Sequence, residues 1–212
     1  SCHIQTHLSE NRDEIAFTKT LYPQARDYLD VYQSYGLLGD KTLLGHAIHL
    51  EPREIDALES TGSHPVFCPT SNLFLGSGLF DHRGLSSRGI TNGIATDVGA
   101  GTSYSMLQTL NEGYKVLQLQ GQALHPLQAF HWATRGNACV LGLEDKIGTL
   151  EAGTEADLIV LNARATEAMS LRMERTCSLS EEVFVLQMMG DDRSIDEVYV
   201  NGVPQKKNGR SE

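Results

Sequence analysis

The sequence has few cysteines, few basic residues and no long apolar run, and each shortage excludes a class of protein. Its four cysteines are widely spaced and form no CxxC pair, which argues against a disulfide framework or a zinc–thiolate site. No apolar run reaches the ~18 residues of a membrane-spanning helix. With 17 Lys and Arg against 27 Asp and Glu, the net charge of −10 opposes binding to nucleic-acid phosphates. We therefore expect a cytoplasmic protein with reduced thiols that binds neither nucleic acid nor a membrane.

Glycine motifs that bind phosphate are also missing. Neither GxGxxG nor GK followed by Ser or Thr occurs, so no nucleotide cofactor is expected. The remaining composition is ordinary for a globular protein, with 212 residues of which 40% are hydrophobic and 21% charged. Because residues 1–7 already have the pattern of a strand, with no looser segment before them, we expect the chain to be cut from a longer protein.

Strands and helices alternate over the first two thirds of the sequence. The predicted strands are 1–7, 42–46, 66–68 and 90–96, and the predicted helices are 10–22, 26–35, 51–60, 102–120 and 126–138. The glycine-rich stretch 71–88 is predicted to be a long loop, either a lid over a ligand or a solvated connection. Strands that alternate with helices imply a parallel sheet with right-handed crossovers, and therefore an α/β fold.

The pattern changes after residue 142. Residues 146–162 are predicted to form a hairpin, and 197–207 form a second hairpin with Asn201 and Gly202 at its turn. A helix over 180–189, capped by Ser178 or Ser180, lies between them. The sequence therefore predicts an α/β unit over 1–142 and a β-rich segment over 143–212.

Three predicted strands end in a group that binds metal or moves a proton. His7 ends the first strand and is followed by Glu10, His46 ends the second with His49 nearby, and Asp97 ends the last. The carboxyl ends of parallel strands meet at one edge of the sheet, where ligand sites form. Each residue alone also fits a structural role, as a hydrogen-bonded histidine, a first-turn acid or a turn residue. Together, imidazole and carboxylate make the ligand set of Zn²⁺ or Fe²⁺.

Several segments resemble one enzyme family. The sequence resembles the guanine deaminases, zinc enzymes of the amidohydrolase superfamily, in HLSE (7–10), GHAIHL (45–50), CPTSNLFLGSGLFD (68–81), ATDVGAGTSYSML (95–107) and IGTLEAGTEADLIVLN (147–162). The resemblance implies a (β/α)₈ TIM-type barrel with a small β-sandwich. Residues 1–142 would supply strands five to eight of the barrel, and 143–212 part of the composite β-sandwich.

The resemblance also implies a role for each residue at the strand ends. His7 and Asp97 would bind the metal, which is Zn²⁺ with Fe²⁺ as an alternative. Glu10 would take a proton from the attacking water and pass it to the purine ring, and Asp97 would assist. His46 would orient that water and polarise the bond under attack, while His49 would be structural. His7, Glu10 and Asp97 would also contact the substrate, and guanine would become xanthine and ammonia.

One superfamily feature is absent from the sequence. The superfamily has an HxH pair at the end of its first barrel strand, and none of the eight histidines here forms that pair. We therefore expect the partner to be a missing N-terminal half of the same protein, without which the chain is inactive, and we expect the complete enzyme to be a homodimer. Two alternatives stay open: a related amidohydrolase acting on a pyrimidine or a triazine, and a non-catalytic half-barrel that associates through its open edge.

Overall fold

The computed structural model describes residues 2–206. In chain order its first part forms β1 (Ile4–Leu8), α1 (Arg12–Leu21), α2 (Tyr28–Ser34), β2 (Thr42–His46), α3 (Pro52–Thr61), β3 (His64–Phe67), α4 (Pro69–Leu75), α5 (His82–Ser87), β4 (Gly93–Ile94), α6 (Met106–Leu119), α7 (Pro126–His131) and α8 (Asn137–Val140). A π-helical turn joins α7 to α8. The second part forms β5 (Leu158–Leu161), α9 (Glu167–Met173), α10 (Leu179–Met189), β6 (Ile195–Val200) and β7 (Val203–Pro204). Ser1 and Lys207, at the ends of the predicted strand and hairpin, lie outside the described residues.

The first four strands form one parallel sheet in the order β1-β2-β3-β4. Leu8 pairs with His46 across β1 and β2, and Phe67 pairs with Ile94 across β3 and β4, so the carboxyl ends lie along one edge. The predicted α/β class with parallel strands is confirmed. This register decides where the residues that follow each strand can meet.

One face of this sheet carries the main hydrophobic core. Along β2, Thr42, Leu44 and His46 are buried, whereas Leu43 and Gly45 between them are only half-buried. The buried side packs against the helices through a cluster that includes Leu8, Leu29, Leu44, Leu58, Phe67, Phe80, Leu110 and Trp132. Parallel sheets in stable proteins are covered on both faces. Within the described residues the second face is less covered, because Gln5 and His7, which pair with Leu43 and Gly45, are exposed.

The predicted loop over 71–88 is wrong, because most of it is helical. Pro69 begins α4 at a position where its missing N–H is not needed, and Gly76 ends the helix in the left-handed conformation (φ 67°). Asp81 then caps α5 by accepting a hydrogen bond from the Gly84 backbone. The glycines that suggested a loop are therefore helix ends and turns.

The last predicted strand of the parallel sheet, over 90–96, is also shorter than expected. Only Gly93 and Ile94 form β4, since the strand that it pairs with, β3, is itself short. The chain then leaves the sheet three residues before Asp97. Asp97 therefore lies outside the sheet.

A three-stranded antiparallel sheet, in the order β5-β6-β7, follows the parallel sheet. The hairpin predicted over 146–162 is wrong: that stretch contains β5 alone, which pairs with β6. The second hairpin is confirmed, with Asn201 (φ 50°) and Gly202 (φ 77°) both in the left-handed region that its tight turn requires. The helix predicted between them is α10, and Ser178 caps it by accepting a hydrogen bond from Glu181.

The helices of the second part pack back onto the first part. α10 lies against α6 and α7, and Phe184 meets Tyr114 edge-on with ring centroids 5.5 Å apart. A second core cluster, around Met169, Val185 and Leu186, packs α9 against α10 and contacts Phe130 of α7. Among residues 2–206, no helix is both long enough and apolar enough to cross a membrane.

Candidate metal centre

Three of the side chains from the strand ends meet at the carboxyl edge of the parallel sheet. His7 lies near the end of β1, His46 is the last residue of β2, and Asp97 follows β4. One potential ligand atom from each lies within 4.8 Å of those from the other two. His46 Nε2 is 3.8 Å from Asp97 Oδ2, and the His7 and His46 rings stack with centroids 5.4 Å apart. The structure therefore brings together three of the residues that the strand-end pattern singled out.

The backbone at these strand ends adopts conformations that side chains other than glycine rarely take. Left-handed φ angles occur at Ser9 (47°), His46 (69°), Ala47 (48°) and Asp97 (49°). Such conformations cost on the order of 1–3 kcal/mol each and concentrate at functional sites. After Asp97 the chain turns tightly, and the Gly101 N–H donates to the Asp97 carbonyl at 2.6 Å. A Cβ atom on Gly101 would overlap the carbonyl groups of Thr96 and Asp97, so only glycine fits there.

His46 is the most enclosed member of the group, with 2% of its surface exposed. Asn72 Nδ2 lies 2.9 Å from His46 Nδ1, and with this amide nitrogen assigned as the donor the neutral ring carries its proton on Nε2, the atom that faces Asp97. Burial lowers the pKa of His46, and the nearby carboxylates of Glu10 and Asp97 only partly oppose this effect. The neutral imidazole is thus the favoured form.

Glu10 reaches the same centre from the loop between β1 and α1. Its Oε1 lies 3.7 Å from His46 Nδ1 and accepts a hydrogen bond from Ser77 Oγ at 2.9 Å. Its backbone N–H donates to Glu14 Oε2 at 2.8 Å, which fixes the main chain at the start of α1. All four side chains predicted to do chemistry therefore face one another.

The donor set fits a catalytic zinc ion. Zinc binds histidine nitrogen and carboxylate oxygen at about 2.0–2.2 Å, which in a tetrahedral site puts neighbouring ligand atoms about 3.4 Å apart. The potential ligand atoms of His7 and Asp97 lie within 4.8 Å of each other, which is not far from that value. Small side-chain movements would bring these atoms to ligand distance. Imidazole with carboxylate also suits Fe²⁺.

Three residues that support the centre were not found from the sequence. Asn72 and Ser77 contact His46 and Glu10 from α4 and the turn after it, and the Tyr32 hydroxyl donates to the His7 carbonyl at 2.9 Å. Asn72 and Ser77 lie in segment 68–81, which carries part of the family resemblance. That resemblance was the feature of the sequence that could have indicated a role for these two residues. His49, predicted to be structural, donates from Nε2 to the Ser77 carbonyl at 2.8 Å.

Comparisons with known proteins agree on one family. The amidohydrolase family model matches residues 1–204. Guanine deaminase of Escherichia coli (strain K12) is 51% identical over 199 residues, which are 94% of this chain and 45% of that protein. A solved structure of E. coli guanine deaminase superposes with a TM-score of 0.95 at 49% identity, covering 97% of this chain and 48% of that one.

Two further structures extend the likeness. Guanine deaminase from C. acetobutylicum, with guanine bound in its active site, has a TM-score of 0.81 at 33% identity and covers 94% of this chain and 48% of its own. An adenosine deaminase from Xanthomonas campestris with bound zinc has the same TM-score at 25% identity, covering 95% and 45%. The chain spans about half the length of the relatives that it matches. The match over nearly every residue shows that the chain belongs to the amidohydrolase family.

Proposed function

We propose that this chain is the C-terminal half of a guanine deaminase, which hydrolyses guanine to xanthine and ammonia. The observation that carries the proposal is the meeting of His7, Glu10, His46 and Asp97 at one edge of the sheet. The chain that holds them is similar to guanine deaminases over nearly its whole length. A pair of imidazoles with two carboxylates suits hydrolysis at a metal-activated water.

His7 and Asp97 would hold the metal, which we propose is zinc, together with ligands from outside the described residues. Catalytic zinc sites use three or more protein ligands, so these two alone do not complete the site. When bound there, zinc would lower the pKa of a water molecule towards about 7 and so supply a hydroxide nucleophile near neutral pH.

The side chains of this chain would move the protons. Glu10 would accept the proton of the attacking water and pass it to the purine ring nitrogen, as a general base and then a general acid. It would next take the proton of the hydroxyl now bonded to the purine carbon and give it to the amine, which leaves as ammonia when the C–N bond breaks. Asp97 would assist in that transfer. The neutral His46 would donate from Nε2 to orient the water and polarise the bond under attack. His7, Glu10 and Asp97 line the position that guanine would occupy.

An N-terminal half would complete the barrel. A full (β/α)₈ barrel takes about 250 residues, and the strands described here would be its fifth to eighth. β1 and β4 are the outer strands of the described sheet, and their free edges, with the half-covered face, would pair with the other half. Residues 1–142 would then be the barrel part and 143–212 the composite β-rich segment, although α10 packs on the barrel side. We also propose a homodimer and a cytoplasmic location for the complete enzyme.

Complementation tests the proposed function. The chain is co-expressed with the N-terminal half of the E. coli guanine deaminase, loaded with zinc, and assayed for guanine loss by ultraviolet absorbance. We expect the assembled protein to release ammonia from guanine, the chain alone to be inactive, and Glu10→Gln to reduce kcat at least about 100-fold. Hydrolysis of a pyrimidine or a triazine, and not of guanine, would indicate that the protein has another amidohydrolase activity. A folded, zinc-loaded assembly that acts on none of them would favour the non-catalytic half-barrel.

A further inference from the structure

The hydroxyl of Ser77 reaches the Glu10 carboxylate from the turn that follows α4. Ser77 is 6% exposed, and its Oγ donates to Glu10 Oε1 at 2.9 Å across 67 residues of sequence. In the described part of the chain, no other side-chain group donates a hydrogen bond to the Glu10 carboxylate. The contact therefore fixes the position of one Glu10 carboxylate oxygen.

The backbone holds the Ser77 hydroxyl in a fixed place. The Ser77 N–H donates to the Asn72 carbonyl at 2.9 Å, and the Ser77 carbonyl accepts from His49 Nε2 at 2.8 Å. Gly78 follows with φ 141°, and a Cβ atom there would lie 2.9 Å from Ile48 Cγ2. The turn is thus packed tightly against the end of β2, and Ser77 has little freedom to move away from Glu10.

Glu10 is restrained at both of its ends. Glu14, whose carboxylate receives the Glu10 N–H, belongs to the capping box that Asn11 makes at the start of α1. With the main chain fixed there and Oε1 held by Ser77, the orientation of Oε2 is also set. A carboxylate that moves protons between a water molecule and a purine needs such a fixed oxygen, because proton transfer falls off when the groups are misaligned.

We propose that Ser77 is a positioning residue for Glu10: its hydroxyl holds one carboxylate oxygen so that the other faces the reacting atoms. His49 supports this arrangement by holding the Ser77 carbonyl. The proposal rests on the proposed function, since it assigns Glu10 the proton transfer. A purely structural Ser77 would only join two loops, and its loss would lower stability without a selective effect on turnover.

Three variants of the assembled, zinc-loaded enzyme test the inference: Ser77→Ala, Ser77→Thr and Ser71→Ala. Ser71 is the matched control, because it is a fully buried serine of α4 whose hydroxyl has no partner among the described residues. We expect Ser77→Ala to lower kcat about 10- to 100-fold, as loss of a group that orients a residue of a metal site does, with KM and the thermal midpoint close to those of the parent. Ser77→Thr should recover most of kcat, and Ser71→Ala should keep it.

Crystal structures of the zinc-loaded parent and of Ser77→Ala give a readout that needs no substrate. We expect one Glu10 conformer on Ser77 in the parent, and a rotated or multiple Glu10 in the variant. If the parent does not hydrolyse guanine, the proposed function is wrong, and the two structures still decide the role of Ser77. An unmoved Glu10 or an unchanged kcat in Ser77→Ala overturns the inference. The inference is also overturned if Ser77→Ala loses kcat together with a lowered thermal midpoint and Ser77→Thr does not restore kcat.

Discussion

The two stacked histidines of the metal centre should respond differently to the same substitution. His7→Gln removes a proposed ligand, whereas His46→Gln removes a ring whose Nε2 carries the proton and faces Asp97. Structural zinc sites with four ligands bind with about 10–16 kcal/mol, so one ligand is worth on the order of 3–4 kcal/mol, or a roughly 100- to 1,000-fold weaker Kd. Loss of a residue that only orients the site costs about 10- to 100-fold.

We therefore expect His7→Gln to lose zinc at a chelator concentration that the His46→Gln variant withstands. His46→Gln should keep most of its metal and still lose most of its turnover. Competition with a chromophoric chelator measures the two dissociation constants in the assembled protein, and metal analysis after dialysis gives the retained zinc. If both variants lose zinc equally, His46 is a ligand, and the proton position inferred from Asn72 is wrong.

Two further predictions concern thiol reactivity and pH. Burial raises the pKa of Cys68 to about 12, whereas Cys2 and Cys177 are exposed. A thiol reagent at pH 8 should therefore modify Cys2 and Cys177 quickly and Cys68 only after denaturation. Fast modification of Cys68 in the native protein would contradict its burial. Burial also lowers the pKa of His82, which favours its neutral form in the folded state. The contribution of neutral His82 to the free energy of unfolding is therefore complete above pH ~6.5, the pKa of an unfolded histidine. It declines as the pH falls from there through the lower pKa that His82 has in the folded protein. Urea denaturation at pH 7 and 5.5 should show that His82→Gln reduces this decline, and an unchanged pH dependence would refute it.

The parts of the fold that local sequence determines were predicted well. A short apolar run that ends in His46 predicts β2, because the run and its polar end both lie within a few residues. Ser178 and the Asn201-Gly202 pair mark the start of α10 and the turn of the last hairpin through their own backbone preferences. None of these features depends on a distant partner.

The parts that depend on distant partners were not predicted. β5 pairs with β6, more than 30 residues later, so the turn residues near 151–154 suggested a nearer partner that does not exist. The glycines in segment 71–88 correctly indicated that regular secondary structure is interrupted there. Glycine is common both within loops and at the ends of helices, so it did not show which of the two was present. The packing of α4 against α6, which lies more than 30 residues later, separates those two uses.

The candidate site shows the same division between local and distant causes. That His7, His46 and Asp97 follow strands is a local property, and the parallel register then places them at one edge. The contacts that orient them are distant: Asn72 reaches His46 across 26 residues and Ser77 reaches Glu10 across 67.

The left-handed backbone at His46 and Asp97 has the same origin. Asp and His adopt that conformation more often than most side chains do, but its cost, on the order of 1–3 kcal/mol at each position, must still be offset by the packing around it. Burial of the His46 ring and the turn closed at Gly101 supply such packing. Because His46 and Asp97 both carry proposed chemistry, the fold stabilises at these two positions a backbone geometry that is costly outside it.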